Sequence, residues 1–455
     1  MSRTKKKQRK LDPTRNGVSS ISYFLYVLFI CSFFLHLSER IPGIAIIRPD
    51  LLIILMTAFS LLSQQNKLKG RLSDPCSRAL TKLVIFFVLS LPFVKWPGSV
   101  ITENMPQFIK ALVFFYFTVL IIDTEKRLKH IVYIFMACQL FRILEPLYLN
   151  ITDGYLGGLG AYIGDGEFAG RLNGAPSDGV NPNGLALVIA SLFPFLHYLW
   201  GTSNLRWKLG YYCLIPPLLY TLILTLSRSG FIALSVVVWQ ILINSKSRVF
   251  IILIIIAISA GAWLNMSDLQ KARYLSLSSS SSTNSTDTEF KGTARGRIDA
   301  WFSELHTFLH KPIVGHGIGT SSEAAFHTRG TAVLSHNLYT EVLVEMGFIG
   351  FVFFMLFIKS IYNSLKVNMR LIIEEEEKNK RDENPDPLIF FYKNLLSALN
   401  ASFWMYIIFS FAQYGVREFN WYFLGGMTSL LTLHIKGYFI TLSALEEKTD
   451  VISQP

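Results

Sequence analysis

Residues 293–350 read TARGRIDAWFSELHTFLHKPIVGHGIGTSSEAAFHTRGTAVLSHNLYTEVLVEMGFIG. Two arginines open this stretch, at 295 and 297, and a segment with apolar residues at helical spacing follows. A glycine-rich turn, GHGIG, comes next, and Ser335-His336-Asn337 leads into a long apolar run. The polar part is flanked by apolar runs long enough to cross a hydrocarbon layer, so the fold is decided by where such a loop can sit.

The whole chain has that character. Of 455 residues, 51% are hydrophobic, 14% are aromatic and only 16% are charged. Repeated apolar runs of roughly 17–25 residues mark an all-α integral membrane protein rather than a string of soluble domains. The net charge of +12 fits Lys and Arg gathered on cytoplasmic loops better than it fits nucleic-acid binding, because most of it lies in short segments beside apolar runs. The opening MSRTKKKQRK is basic and precedes the first span without a cleavage pattern, which predicts a cytoplasmic N-terminus. Of four cysteines, Cys31, Cys138 and Cys213 lie in apolar runs and Cys76 in a basic loop, so neither a disulfide framework nor a CxxC metal pattern is expected.

Hydropathy predicts about twelve transmembrane helices, at residues 21–37, 44–62, 79–93, 108–122, 131–149, 183–200, 211–226, 231–243, 249–264, 336–361, 388–413 and 421–438. The runs 211–226 and 231–243 are short for full spans, which suggests that the turn between them is recessed. In the fifth span, Arg142 and Glu145 stand three residues apart and are expected to pair on one helix face. The organisation that follows is a basic cytoplasmic tail (1–20), N-terminal spans (21–149) and a core (150–361) with external loops at 150–182 and 265–335. A charged cytoplasmic connector (362–387), two last spans (388–438) and a cytoplasmic tail (439–455) complete the chain. The loop 150–182 is glycine-rich and reads as turns and close backbone approaches. The serine-rich stretch 276–288 reads as low-complexity.

This topology places Arg171, Arg228, Arg295 and Arg297 on the outer side, where positive charge near spans is normally avoided. One explanation is pairing with nearby acids such as Asp165, Glu167, Asp178, Asp299 or Glu304. The other is a ligand: guanidinium groups grip phosphate oxygens in planar, bidentate fashion, and an external lipid-linked diphosphate would supply them. GHGIGT lacks the Lys-Ser/Thr of a nucleotide P-loop. Residues 297–309 are expected to form a short amphipathic helix with Ile298, Trp301, Phe302, Leu305 and Phe308 on one face, lying at the membrane interface or packing in the loop, and stopped near Pro312.

Ser335 is expected to cap the tenth span, leaving His336 at its first turn. A helix N-terminus disfavours the imidazolium, so His336 there would be a neutral base, suited to taking a proton from a sugar hydroxyl. Alternatively it satisfies hydrogen bonds at the interface. His306, His310, His316 and His327 are its rivals, and their spacings match no standard zinc pattern. Asn337, Glu341 and Glu345 recur every four residues on one face, and buried carboxylates in spans are usually functional or paired. With Trp301, they are candidates for acceptor contact or for structure.

Four pieces in this order, GRLNGAPSDGVNPNG, LSRSG, GRIDAWFSELHTFLHKPIVGHGIG and SHNLYTEVLVEMGFIG, resemble the O-antigen ligase and O-antigen polymerase superfamily of bacterial inner-membrane glycosyltransferases. They cover roughly residues 171–350. Each is short, and their order and placement between spans carry the specificity. The resemblance implies a GT-C-like, metal-independent, inverting transferase without cofactor. Such an enzyme moves a glycan from undecaprenyl diphosphate to an acceptor sugar, such as lipid A–core, at the periplasmic face. It further implies that Arg171 and Arg297, with Arg228 and Arg295, bind the diphosphate, and that His336 is catalytic. Two departures stand out: a serine separates Arg228 from its glycine, and Arg295 is offset by two residues from the better match at Arg297. The serine-rich insert also enlarges the external loop and suggests an unusual acceptor. Within this class the ligase reading leads over polymerase and protein O-oligosaccharyltransferase, which share the chemistry. A polytopic transporter or flippase is the alternative from another class, disfavoured because the distinctive residues sit in loops rather than at mid-membrane.

Overall fold

A computed structural model of the chain describes residues 17–157, 160–164, 167–244, 299–330, 332, 335, 337–379, 386–413 and 415–453. They form a bundle of helices. Six are long and apolar enough to cross a membrane: Ile44–Leu62, Pro75–Phe93, Pro97–Ile121, Glu125–Asp153, Pro182–Gly201 and Leu338–Lys378. Ser20–Leu35 and Arg228–Ile243 are shorter apolar helices. The protein is a helical membrane protein. The expected span at 249–264, the serine-rich stretch 276–288, Arg295, Arg297 and His336 lie outside the described residues.

Several boundaries differ from the sequence expectation for local reasons. Helix Leu205–Leu224 has 20 residues because Asn204 caps it, accepting from the Trp207 N–H at 3.5 Å. It is about 30 Å long, and it is not among the six helices that are both long and apolar enough to cross a membrane. Helix Leu338–Asn379 continues well into the expected 362–387 connector, and helix Phe419–Ser453 continues through the expected C-terminal tail. Charged residues do not end a helix unless a cap, glycine or proline does. The glycine-rich loop holds a two-stranded antiparallel hairpin, Gly160–Gly164 with Glu167–Gly170.

Between lipid-facing helices the hydrophobic effect gives little, so packing and buried polar pairs hold the bundle together. Phe33, Phe34, Phe114 and Phe419 interlock with ring centroids 4.8–5.7 Å apart. Tyr26 Oη meets Thr118 Oγ1 at 2.5 Å, Asn368 Nδ2 donates to Thr432 Oγ1 at 2.8 Å, and Asn394 Nδ2 donates to Thr202 Oγ1 at 3.0 Å. Such bonds contribute roughly 0.6 kcal/mol each within a membrane.

Candidate functional site

Of the candidate residues, Arg171, Arg228, Trp301, Asn337, Glu341 and Glu345 are described. Arg171 leaves the hairpin and lays its guanidinium across the end of helix Leu205–Leu224. Its Nε donates to the Thr225 carbonyl at 2.9 Å and one Nη donates to Asn183 Oδ1 at 3.0 Å. The backbone follows it, with Leu172 N–H donating to the Leu224 carbonyl at 2.9 Å. Ser227 Oγ donates to the same Asn183 oxygen at 2.9 Å and accepts from the Gly230 N–H, and Arg228 is the first residue of the next helix. At Gly230 that helix touches helix Pro182–Phe195 so closely that a Cβ would stand 2.4 Å from the Ala186 Cβ. Two motifs separated by more than fifty residues therefore share one junction, and Asn183 links them.

The loop behind Arg171 is anchored by charge. Asp178 is buried and accepts from Arg142 Nε at 3.1 Å, with a second Arg142 nitrogen 3.0 Å away and His36 Nδ1 at 2.8 Å. Burial raises the affinity of Asp178 for a proton, and the His36 and Arg142 contacts outweigh it, holding the carboxyl below its ordinary range. The expected Arg142–Glu145 pair does not form. Glu145 instead takes Arg40 in a two-pronged contact of 2.6 and 2.5 Å, while Arg142 reaches Asp178. Position 145 is 300° around the helix from 142, and each side chain meets a different neighbouring segment.

The third motif clasps the fourth. At Gly347 the helix breaks, with φ 67° and ψ −173°. The exposed backbone is taken up by residues 312–317. Phe348 N–H donates to the Pro312 carbonyl at 2.7 Å, Gly317 N–H to the Glu345 carbonyl at 2.9 Å and His316 N–H to the Val344 carbonyl at 2.9 Å. The strands lie so close that a Cβ on Gly315 would stand 2.4 Å from the Glu345 carbonyl carbon, and one on Gly347 2.4 Å from the Ile313 oxygen. Only glycine fits these positive-φ positions. His316 sits inside the clasp, with Nδ1 3.1 Å from the Val344 carbonyl and its ring stacked on Trp96 at 5.6 Å. Burial lowers its pKa, and Lys95, His310 and Lys311 add to that against the Val344 bond.

Asn337, not Ser335, caps the helix. Its Oδ1 accepts from the Tyr339 N–H at 2.9 Å, while Ser335 Oγ accepts from the Asn337 N–H at 3.3 Å one turn position too early. His336 thus precedes the cap in sequence. Glu341 accepts from the Gly415 and Val416 N–H groups at 2.7 and 3.3 Å, and Glu345 accepts from the Ser321 N–H at 3.3 Å. Glu341 and Glu345 therefore tie the turn at 415–416 and the start of helix Ser321–Arg329 to this helix. Arg417, which the sequence reading did not single out, donates to Asn104 and Gln107 at 2.6 and 2.9 Å within electrostatic range of both glutamates. Its signal was available, since GVREFN also falls on the outer side by the same span count.

Of the expected amphipathic helix 297–309, residues 299–309 are described and helical, and the apolar stripe faces outward. Phe302 and Leu309 are 68% and 67% exposed, while Glu304 and Thr307 are buried at 7% and 1%. At a membrane boundary the apolar stripe faces lipid and the polar side turns into the protein, the reverse of a soluble helix. Trp301 lies between, near Phe411, with ring centroids 6.3 Å apart. Among the described residues no group of three His, Cys, Asp or Glu side chains is placed to hold a metal ion.

The helices long and apolar enough to cross a membrane, joined by the arginine-bearing junction at Asn183 and the glycine clasp at Gly347, define a polytopic helical membrane protein. Residues 213–355 match the family model described as O-antigen ligase, in keeping with the resemblance its motifs show. Arg228, the clasp and the Asn337 cap lie inside that match, and Arg171 lies before it. A search of curated proteins found no match.

Proposed function

We propose that the protein is a glycosyltransferase of GT-C-like architecture. It transfers a glycan from undecaprenyl diphosphate to an acceptor sugar at the periplasmic face of the inner membrane, in the first instance ligating O-antigen to lipid A–core. The observation that supports this most is the junction of Arg171 and the Arg228 turn around Asn183, inside and beside a match to O-antigen ligases. In the reaction the acceptor hydroxyl oxygen bonds to the anomeric carbon from the face opposite the leaving group. The bond from that carbon to the diphosphate oxygen breaks, and undecaprenyl diphosphate departs with the electron pair. Arg171, Arg228, Arg295 and Arg297 stabilise the charge that develops there. His336, neutral, takes the hydroxyl proton. This back-side displacement inverts the anomeric centre and requires neither metal nor cofactor.

The test is the envelope glycan profile of a deletion strain complemented with wild type or with His336→Ala. Wild type restores long glycan on lipid A–core. The His336→Ala strain leaves that glycan on its lipid carrier although the protein is present in the membrane. An intact profile with His336→Ala removes His336 as the base. Single repeats capping the core in the deletion strain assign the polymerase reaction, and an unaltered profile in that strain refutes the function. Purified Arg171 and Arg297 variants are expected to use donor poorly, and unchanged donor kinetics would refute the diphosphate role.

A further inference from the structure

Helix Leu338–Asn379 begins with two buried carboxylates one turn apart. Glu341 and Glu345 are 2% and 1% exposed, and side chains at i and i+4 stand on one face, roughly 6 Å apart at Cβ. Two ionised carboxylates so placed repel, more strongly for being out of water. Glu341 Oε2 accepts from the Gly415 and Val416 N–H groups. Glu345 Oε1 accepts from the Ser321 N–H, while its Oε2 is enclosed without a hydrogen bond. Amide dipoles offset part of such a charge, and a buried carboxylate also needs a cation.

Among the described residues Arg417 is the cation within electrostatic range of both glutamates. It also acts on Glu418, which Arg142 shares. Its Nη1 donates to Asn104 Oδ1 at 2.6 Å and Gln107 Oε1 at 2.9 Å. Asn104 is buried, and its Nδ2 donates to the Ser99 carbonyl at 3.2 Å. It packs against Gly319, φ 77°, so tightly that a Cβ there would overlap the Asn104 side chain. The Gly319 turn leads into Ser321, whose N–H meets Glu345. The contacts therefore close a ring: Arg417, Asn104, the 319–321 turn, Glu345, Glu341, the 415–416 turn and back to Arg417. Asn337, which caps the helix, lies four residues before Glu341, and His336 is its neighbour in the chain.

Resting on the transferase reading above, we infer that Arg417 is a positioning residue for the reaction. By balancing Glu341 and Glu345 and holding Asn104, it fixes the first turns of helix Leu338–Asn379 and with them the chain that carries His336.

The experiment compares full-length wild type, Arg417→Gln, Arg417→Lys, Glu345→Gln and Arg417→Gln/Glu345→Gln, purified in detergent. Transfer is measured with undecaprenyl-diphosphate-linked glycan and lipid A–core, and backbone hydrogen exchange by mass spectrometry. Arg417→Gln is expected to lower kcat roughly 10- to 100-fold, the range for coupled groups in one buried network, with donor KM within about twofold of wild type. Exchange at residues 319–321 and 415–416 should rise in the same variant. Arg417→Lys, which keeps the charge, should recover most of the kcat. The double variant should come within a few fold of Glu345→Gln alone, because one carboxylate fewer needs the cation less. If Arg417→Gln does not fold, a folded, active double variant supports the charge balance, and a double variant that also fails to fold overturns it. Unchanged kcat in folded Arg417→Gln, or losses that Arg417→Lys and Glu345→Gln leave uncorrected, overturn the positioning role while leaving the transferase intact. A wild-type protein that transfers nothing overturns both.

Discussion

The clasp at Gly347 gives the most quantitative expectation. In Gly347→Ala the backbone must hold φ 67° and ψ −173°, a region essentially restricted to glycine, at about 2 kcal/mol. The added Cβ would also stand 2.4 Å from the Ile313 oxygen and 2.6 Å from the Gly315 nitrogen, so the strands must part. Parting them weakens the Phe348-to-Pro312 and Gly317-to-Glu345 bonds, at about 1 kcal/mol each. The sum, about 4 kcal/mol, is a roughly 1000-fold rise in local opening. Hydrogen exchange read by mass spectrometry should show faster exchange at residues 312–320 and 344–349, with the 105–121 helix unaffected. Gly315→Ala should mimic it, and the double substitution should add little, because both release one contact. Gly98→Ala, where a Cβ meets nothing within 4 Å, is the control. Wild-type exchange in Gly347→Ala would show that the clasp does not hold these segments together.

Two further expectations follow from the charges. Arg142→Met or Asp178→Asn alone leaves a buried partner uncompensated and should cost about 3–5 kcal/mol, whereas the double variant should cost clearly less than the sum; denaturant unfolding in detergent measures this, and strictly additive losses would refute the pairing. His316 has a lowered pKa when folded, so its contribution to the clasp is complete above its unfolded value near 6.5 and is lost as pH falls below that toward the folded value. Protection factors at residues 312–320, corrected for intrinsic exchange, should therefore fall between pH 7.5 and 5.5 in wild type and less so in His316→Asn. A wild-type protection that is flat with pH would remove His316 from the clasp.

The class of protein was legible along the chain because hydrophobic length is a local property. Apolar runs such as 44–62 and 183–200 announce membrane helices without any knowledge of their neighbours, and the four short motifs announce the resemblance to O-antigen ligases because each is contiguous. Local rules also predicted the helix at 297–309, helical over its described part 299–309, and the Gly-rich turn. Partners were not legible, because pairing depends on which helix faces which. Arg142 looked like a partner for Glu145 three residues on, yet the bundle brings Asp178 to one and Arg40 to the other. Ser335 looked like the cap, yet the first helical turn begins after Asn337. Periodicity gave the apolar face of helix 297–309 but left open whether it met lipid or the loop, and the outward-facing Phe302 and Leu309 favour the interface. The clasp between residues 312–317 and 344–349 could not be read at all, because main-chain hydrogen bonds carry no side-chain signature. Sequence determined that this is a helical membrane protein with a stretch similar to O-antigen ligases and charged loops between its helices. Only the tertiary structure decided which loops meet, because long-range backbone and ion-pair geometry exists once the helices have packed.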